Sequence, residues 1–192
     1  MKTPAEKLII SFKNPRELRT WLLKNHSKSD GIWFRIFKKS SGTPSITYDE
    51  ALDEALCMGW IDGQKKSCDE KSWLQKFTPR RAKSIWSKRN KEHIARLIKE
   101  HRMHASGMKE VAAAKTDGRW ESAYDSPKNM NVPEDFLKEL KKDTKAYNFF
   151  LTLNKANLYA IGWRLQTAKK PETRAKRLSD ILQMMRDEKK FH

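Results

Sequence analysis

Between Cys57 and Asn90 the chain reads CMGWIDGQKKSCDEKSWLQKFTPRRAKSIWSKRN, with three of the seven tryptophans, two glycines and a Pro-Arg-Arg step. Two runs inside it, Trp60 to Lys66 and Ser72 to Thr78, are candidate strands joined by a polar turn around Asp69. That pattern predicts a β-hairpin. Segments of helical period flank it on both sides, so the hairpin lies across a core that helices complete. An α+β fold follows.

The rest of the N-terminal half fits that frame. Leu8 to Phe12 is an apolar run of edge-strand length. Asn14-Pro15-Arg16-Glu17 is a helix start, with a capping side chain and Pro in the first turn. Leu18, Trp21 and Leu22 give its buried stripe, which runs to about His26. Ile32 to Phe37 (IWFRIF) is the strongest strand in the chain. Thr47-Tyr48-Asp49-Glu50 spells a capping box, and Ala51, Leu52, Ala55 and Leu56 form the inner face of a helix that Gly59 ends. With Ile32 to Phe37 the hairpin makes a small antiparallel sheet. Helical period returns from Ser84 or Ser87, with Ile94, Leu97 and Ile98 on one face, and again over Ser106 to Asp117. A loop from Trp120 to Met130 follows, with a turn at Ser126-Pro127.

Beyond it, four stripes predict four helices: Phe136, Leu137 and Leu140; Ala146, Phe149, Phe150 and Leu153; Leu158, Ile161 and Leu165; Leu178, Ile181, Leu182 and Met185. The expected organisation is an α+β region over 1–125 and a helical bundle over 126–192.

Charge narrows the partners. The chain carries 41 Lys and Arg against 24 Asp and Glu, a formal +17. Residues 60–102 alone hold 13 basic and 5 acidic groups. Such an excess favours anionic partners, or serves solubility alone. Two cysteines make no disulfide framework, the N-terminus lacks an apolar leader of signal length, and no window reaches the length of a membrane span. A cytoplasmic location is the expectation.

Several constellations carry chemistry, each with a plainer alternative. Arg80 and Arg81 follow the stiffening Pro79, precede a helix start and have Asp62 on the hairpin as a neighbour candidate. Guanidinium groups suit phosphate or carboxylate, and a helix start adds free amides. The same residues also read as a structural Asp–Arg pair. Trp60, Trp73 and Trp86 alternate with Lys65, Lys66, Lys76, Arg81, Lys88 and Arg89, a pattern of single-stranded nucleic-acid grooves; burial of at least two of the tryptophans in the core is the alternative. Cys57, Cys68, His93, His101 and His104 lack zinc-site spacing and read as a buried thiol and surface histidines.

No Ser/His/Asp order, nucleophile elbow or phosphate loop is spelled out. Ser84 and Ser87 read as helix caps, and Glu50, Asp53 and Glu54 as a solvated helix face. Arg174 and Arg177, one turn apart in the basic C-terminal run, read as wet surface.

Five segments in order, YDEALDEALCMGWIDG, FTPRRAKSIWSKRN, RMHASGMKEVAAAKTDGRW, VPEDFLKELKKDTKAYNFF and AKKPETRAKRLSDILQMM, resemble the bacterial YdeI/OmpD-associated family, also called bacteriocin-protection proteins, from about Phe12 to Met185. His101 stands where the family pattern often carries Gly. The resemblance implies a link to bacteriocin and antimicrobial-peptide tolerance, an outer-membrane porin and stress response; it implies no reaction and no catalytic residue. Many such peptides are cationic and a +17 chain repels them, so the expected route is indirect.

The reading is a non-enzymatic protein, with no metal or cofactor, that binds an anionic small molecule near Trp60, Asp62, Arg80, Arg81, Trp86 and Lys88. A nucleic-acid binder using the basic face is the alternative. An adaptor for a partner protein, with an exposed apolar patch, is a third reading.

Overall fold

Asn14 and Thr47 start helices by the mechanism their types dictate. In the computed structural model, which describes residues 8–126 and 129–192, the Asn14 side chain accepts the Glu17 N–H at 3.0 Å and opens α1, Pro15–Asn25. Thr47 and Glu50 exchange bonds of 3.3 and 2.9 Å in a full capping box that opens α2, Tyr48–Cys57. The expectation for the extreme N-terminus, and Pro127 of the expected Ser126-Pro127 turn, lie outside the described residues.

The chain forms two units. One takes in the chain up to Trp86 together with Asn90–Ser122; the other takes in Ser87–Arg89 together with Ala123–His192.

In the first unit β1 (Ile9–Ile10), β2 (Ile32–Phe37), β3 (Trp60–Ser67) and β4 (Ser72–Pro79) form one sheet in the order β1-β2-β4-β3. β2 pairs antiparallel with β4, setting Ile32 against Phe77 and Ile36 against Trp73, and β3 pairs antiparallel with β4. The sheet is mixed rather than purely antiparallel, because β1 pairs parallel to β2. The reason is α1: a helix between two neighbouring strands carries the chain back to the starting end, so the second strand runs the same way.

Alternation sends Ile32, Phe34, Ile36 and Phe77 inward. Phe34 stacks on Phe77 at 4.5 Å, Phe12 meets Phe34 edge-on at 5.3 Å, and Trp21 meets Trp60 at 6.0 Å. Ala51, Leu52, Ala55 and Leu56 of α2 are fully buried in the same unit. One buried polar residue on the inner face, Gln75, has a specific task. A bulge shifts the β3–β4 register between Asp62 and Lys65, and the Gln75 amide donates to the freed carbonyls of Gly63 (2.9 Å) and Gln64 (3.3 Å).

Two further helices belong to this half of the chain: α3 (Lys88–Lys99), whose first two residues group with the second unit, and α4 (Ala105–Thr116). α3 ends in a Schellman turn, with His101 N–H on Ile98 O and Arg102 N–H on Leu97 O, both at 3.0 Å. The left-handed position of that turn is held by His101, φ 54°, which explains why glycine suits it. α4 presses against the end of α2: a Cβ at Gly107 would stand 2.2 Å from the Cys57 carbonyl oxygen.

The second unit is helical: α5 (Glu134–Leu140), α6 (Thr144–Leu151), α7 (Lys155–Gln166) and α8 (Pro171–Arg186). Phe136, Leu140, Ala146, Ile161, Leu165, Ile181 and Met185 form its buried centre. Asn157 is buried there, and its Oδ1 accepts the backbone N–H of Phe191 at 2.8 Å and of His192 at 3.3 Å.

Candidate anion-binding sites

The residues singled out from the sequence take separate places. Trp60 is core, 1% exposed, with its indole N–H donating to the His26 carbonyl at 3.0 Å. Asp62 is half-buried and accepts the Tyr48 hydroxyl at 2.8 Å. Arg80 is buried with its guanidinium 3.5 Å from the Trp86 ring centroid, and its Nη1 donates to the Ile85 carbonyl at 3.3 Å. Arg81 is exposed, and its backbone N–H donates to the Ser84 hydroxyl at 3.0 Å. Lys88 groups with the second unit, where its ammonium lies 2.7 Å from Asp125. The structure thus brings Arg80 and Trp86 together. Ser84 is no helix cap: its hydroxyl closes a turn four residues before α3, which begins at Lys88.

Trp86 leads to residues that the sequence did not announce. Its ring meets Trp120 at 4.9 Å, and Lys91 and Lys115 lie 5.1 and 5.6 Å from the Trp120 ring. Lys91 also donates to the Trp120 carbonyl at 2.8 Å. Arg119 is buried, bound to the Ser84 carbonyl at 2.9 Å and to Asp117. Trp120 stands in a stretch that reads as loop, and no short-range pattern links it to Trp86. With Trp60 and Trp86 both in the core, the plainer reading of the tryptophan pattern holds for those two.

A concave surface opens where the inner face of the sheet reaches the loop before α2. It encloses about 770 Å³ and is lined by Ile36, Phe37, Lys38, Lys39, residues 42–48 and Trp73. That volume lies within the range of small-molecule sites. Its walls are apolar and aromatic, its cations are Lys38 and Lys39, and Tyr48 ties it to Asp62. Lys65 lies over the Trp73 ring at 5.0 Å, and the Trp73 indole N–H is a buried donor with no acceptor among the described residues. A second hollow of about 530 Å³ runs along α1, lined by Arg16, Glu17, Trp21 and Lys24 among others.

The acidic face of α2 is not solvated. Asp53 and Glu54 are buried, because arginines from distant parts of the chain reach them. Arg96 holds Asp53 with two bonds of 2.7 and 2.6 Å, and His93 meets the same carboxylate at 2.7 Å. Glu54 lies between Arg19 at 3.0 Å and Arg102 at 2.7 Å. Glu50 alone of the three is exposed, in its capping box.

Burial pushes the Asp53 carboxyl up, but the Arg96 and His93 bonds outweigh it and leave the group below its ordinary value. Burial, aided by Glu54, raises the Cys57 thiol to about 11, so it is inert as a nucleophile at neutral pH. Cys68 is exposed. His93 is not a surface residue but a partner of Asp53, and His104 accepts the Ser106 N–H at the start of α4. Among the described residues no group of His, Cys, Asp or Glu could hold a metal ion.

In the second unit Arg174 binds Asp135 through two bonds of 2.6 and 2.9 Å, and Arg177 donates to the Arg164 carbonyl at 2.7 Å. No helix among the described residues is long and apolar enough to cross a membrane.

Comparison with known families divides the chain. Residues 10–110 match the model of a domain of unknown function, DUF8412, and residues 129–188 match the model described as bacteriocin-protection, YdeI or OmpD-associated. The second match covers the helical C-terminal residues rather than nearly the whole chain that the motif resemblance spans. No curated protein and no solved structure matches. The chain therefore belongs to the DUF8412 family through residues 10–110, and it carries a YdeI/OmpD-associated region over residues 129–188.

Proposed function

We propose that the protein is a non-enzymatic binder of an anionic, ring-bearing small molecule, held in the hollow between the Lys38–Tyr48 segment and Trp73. The observation that carries this reading is the lining itself, with aromatic and aliphatic walls and two lysines at one small-molecule-sized concavity. A ring stacks on Trp73 or Tyr48, and Lys38 and Lys39 meet its charge. Asp62 orients the Tyr48 hydroxyl. The unpartnered Trp73 N–H gains an acceptor when the flexible Lys65 chain moves off the indole, since a buried donor without a partner is costly.

Arg80 and Trp86 stiffen the turn that follows β4, and Arg81 remains free in solvent to draw anions toward the unit. The work is done in the reducing cytoplasm, where Cys68 stays a thiol. The link to bacteriocin tolerance, taken from the family description of the C-terminal region, runs through this ligand in an envelope or stress response. Direct capture is disfavoured because a +17 chain repels cationic peptides.

Titration with 8-anilinonaphthalene-1-sulfonate, an anionic aromatic dye, tests the site. One-to-one binding should weaken by about tenfold, or roughly 1.4 kcal/mol, in Lys38→Ala/Lys39→Ala, with thermal stability unchanged. Equal affinity in the variant, or binding without a fixed stoichiometry, rejects the site.

A further inference from the structure

The second hollow, the one along α1, has a chemistry of its own. Arg16, Thr20 and Lys24 stand four residues apart on one row of that helix, and with Trp21 and Phe12 they line a space of about 530 Å³. Eight residues of helix set the two cations about 12 Å apart along its axis. Both are exposed, and neither has an ion-pair partner among the described residues. The one carboxylate in the lining, Glu17, accepts the Lys13 backbone N–H at 2.8 Å instead of pairing with Arg16. Two further donors of the lining are engaged within the helix: the Thr20 hydroxyl donates to the Arg16 carbonyl at 2.9 Å, and the Asn25 amide to the Trp21 carbonyl at 2.8 Å. Trp21 is half-buried and held from behind, its ring edge-on to Phe12 at 6.3 Å and to Trp60 at 6.0 Å.

We infer that this hollow binds an elongated organic dianion, a dicarboxylate with an apolar chain between its charged ends. Arg16 takes one carboxylate through its planar fork of donors, and Lys24 takes the other as a point charge. Arg16 also stands in the first turn of α1, where the helix dipole adds to the attraction for negative charge. The chain between the ends lies on the exposed part of Trp21 and on the alkyl stems of Arg16 and Lys24, since long cationic side chains cover apolar surface while their heads stay in water. Glu17 repels charge placed between the ends, which favours a ligand whose middle is uncharged. A short dianion reaches one cation and brings no chain to the indole. The contrast with the Trp73 hollow is one of spacing: Lys38 and Lys39 are neighbours and suit a single charged group, whereas Arg16 and Lys24 form two poles.

This inference does not depend on the Trp73 hollow, so each survives the failure of the other. Heteronuclear NMR titration of the full chain, followed at the Trp21 indole N–H, tests it with decanedioate, whose extended length matches the spacing of the cations. Decanoate and butanedioate serve as comparisons. Decanedioate should shift the Trp21 signal saturably and one-to-one, and bind about fivefold more tightly than decanoate, as one further exposed ion pair allows. Butanedioate should give no saturable shift. In Arg16→Ala, and separately in Lys24→Ala, decanedioate should bind no better than decanoate does, with the melting temperature unchanged because both side chains are exposed. Lys38→Ala/Lys39→Ala should leave decanedioate binding unaltered. No saturable shift with decanedioate, equal affinity for butanedioate, full affinity in either single-cation variant, or a loss in the Lys38 variant would overturn the inference.

Discussion

The two units solve the problem of a stable interior in opposite ways. The first runs charge through its centre: Asp53, Glu54, Arg80 and Arg119 are all buried, with Asp53 held by Arg96 and His93 and Glu54 held by Arg19 and Arg102. The second is filled almost wholly with hydrocarbon and aromatic rings, and its ion pairs, such as Arg174–Asp135, lie on the wet surface. Hydrocarbon burial is proportional to area and indifferent to pH. A buried ion pair has to offset the desolvation of both charges, and it becomes a liability when one partner is lost. Stability in the first unit is therefore specific and conditional; in the second it is a matter of volume.

The largest effect should come from emptying the second unit's core. Phe136→Ala removes a fully buried ring and should cost about 4 kcal/mol, read by urea denaturation. A loss under about 1 kcal/mol would mean that the helices collapse to fill the space, against the close packing expected of interiors.

Arg102→Ala comes next. It leaves the Glu54 carboxylate, 4% exposed, with Arg19 as its remaining ion-pair partner, and about 3 kcal/mol should be lost. The same unit should also be acid-sensitive. Asp53 titrates below its ordinary 3.8 in the folded chain, so its stabilisation is complete above that pH and disappears as pH falls through the lower folded value. Acid unfolding followed by circular dichroism should shift to higher pH in Arg96→Met. An unshifted midpoint would remove Asp53 as the sensor.

Smaller still is His101→Gly, which relieves a left-handed residue in the Schellman turn and should stabilise by roughly 1 kcal/mol. Smallest is Arg174→Ala, a half-exposed pair whose loss should cost no more than about 0.5 kcal/mol despite its two short bonds. If Arg174 proved as costly as Arg102, the contrast between the units would fail.

Local chemistry made much of this fold readable. Caps at Asn14 and Thr47, the strand Ile32–Phe37, the hairpin and the four C-terminal helices each depend on residues a few positions apart, and such signals survive in a linear reading. Parallel pairing of β1 was not legible, because two residues cannot declare a direction; the crossover through α1 decides it.

Asp53 and Glu54 misled for a definite reason. Helical periodicity assigns charged residues to solvent, and the arginines that bury them lie 43 and 48 residues away. The hollow is equally non-local, since Trp73 comes from β4 and the rest of its lining from residues 36–48. A tryptophan with no helix stripe to join was the available hint.

Gly107 carries a consequence of a different kind. With the Cys57 carbonyl 2.2 Å from where a methyl would go, the seam between α2 and α4 admits a hydrogen and nothing larger. In a saturation library that position should read as a blank row, alanine included, while most surface lysines tolerate wholesale exchange. The letter at 107 therefore works as a hallmark: sequences that differ there have moved the two helices apart, whatever their surrounding motifs spell.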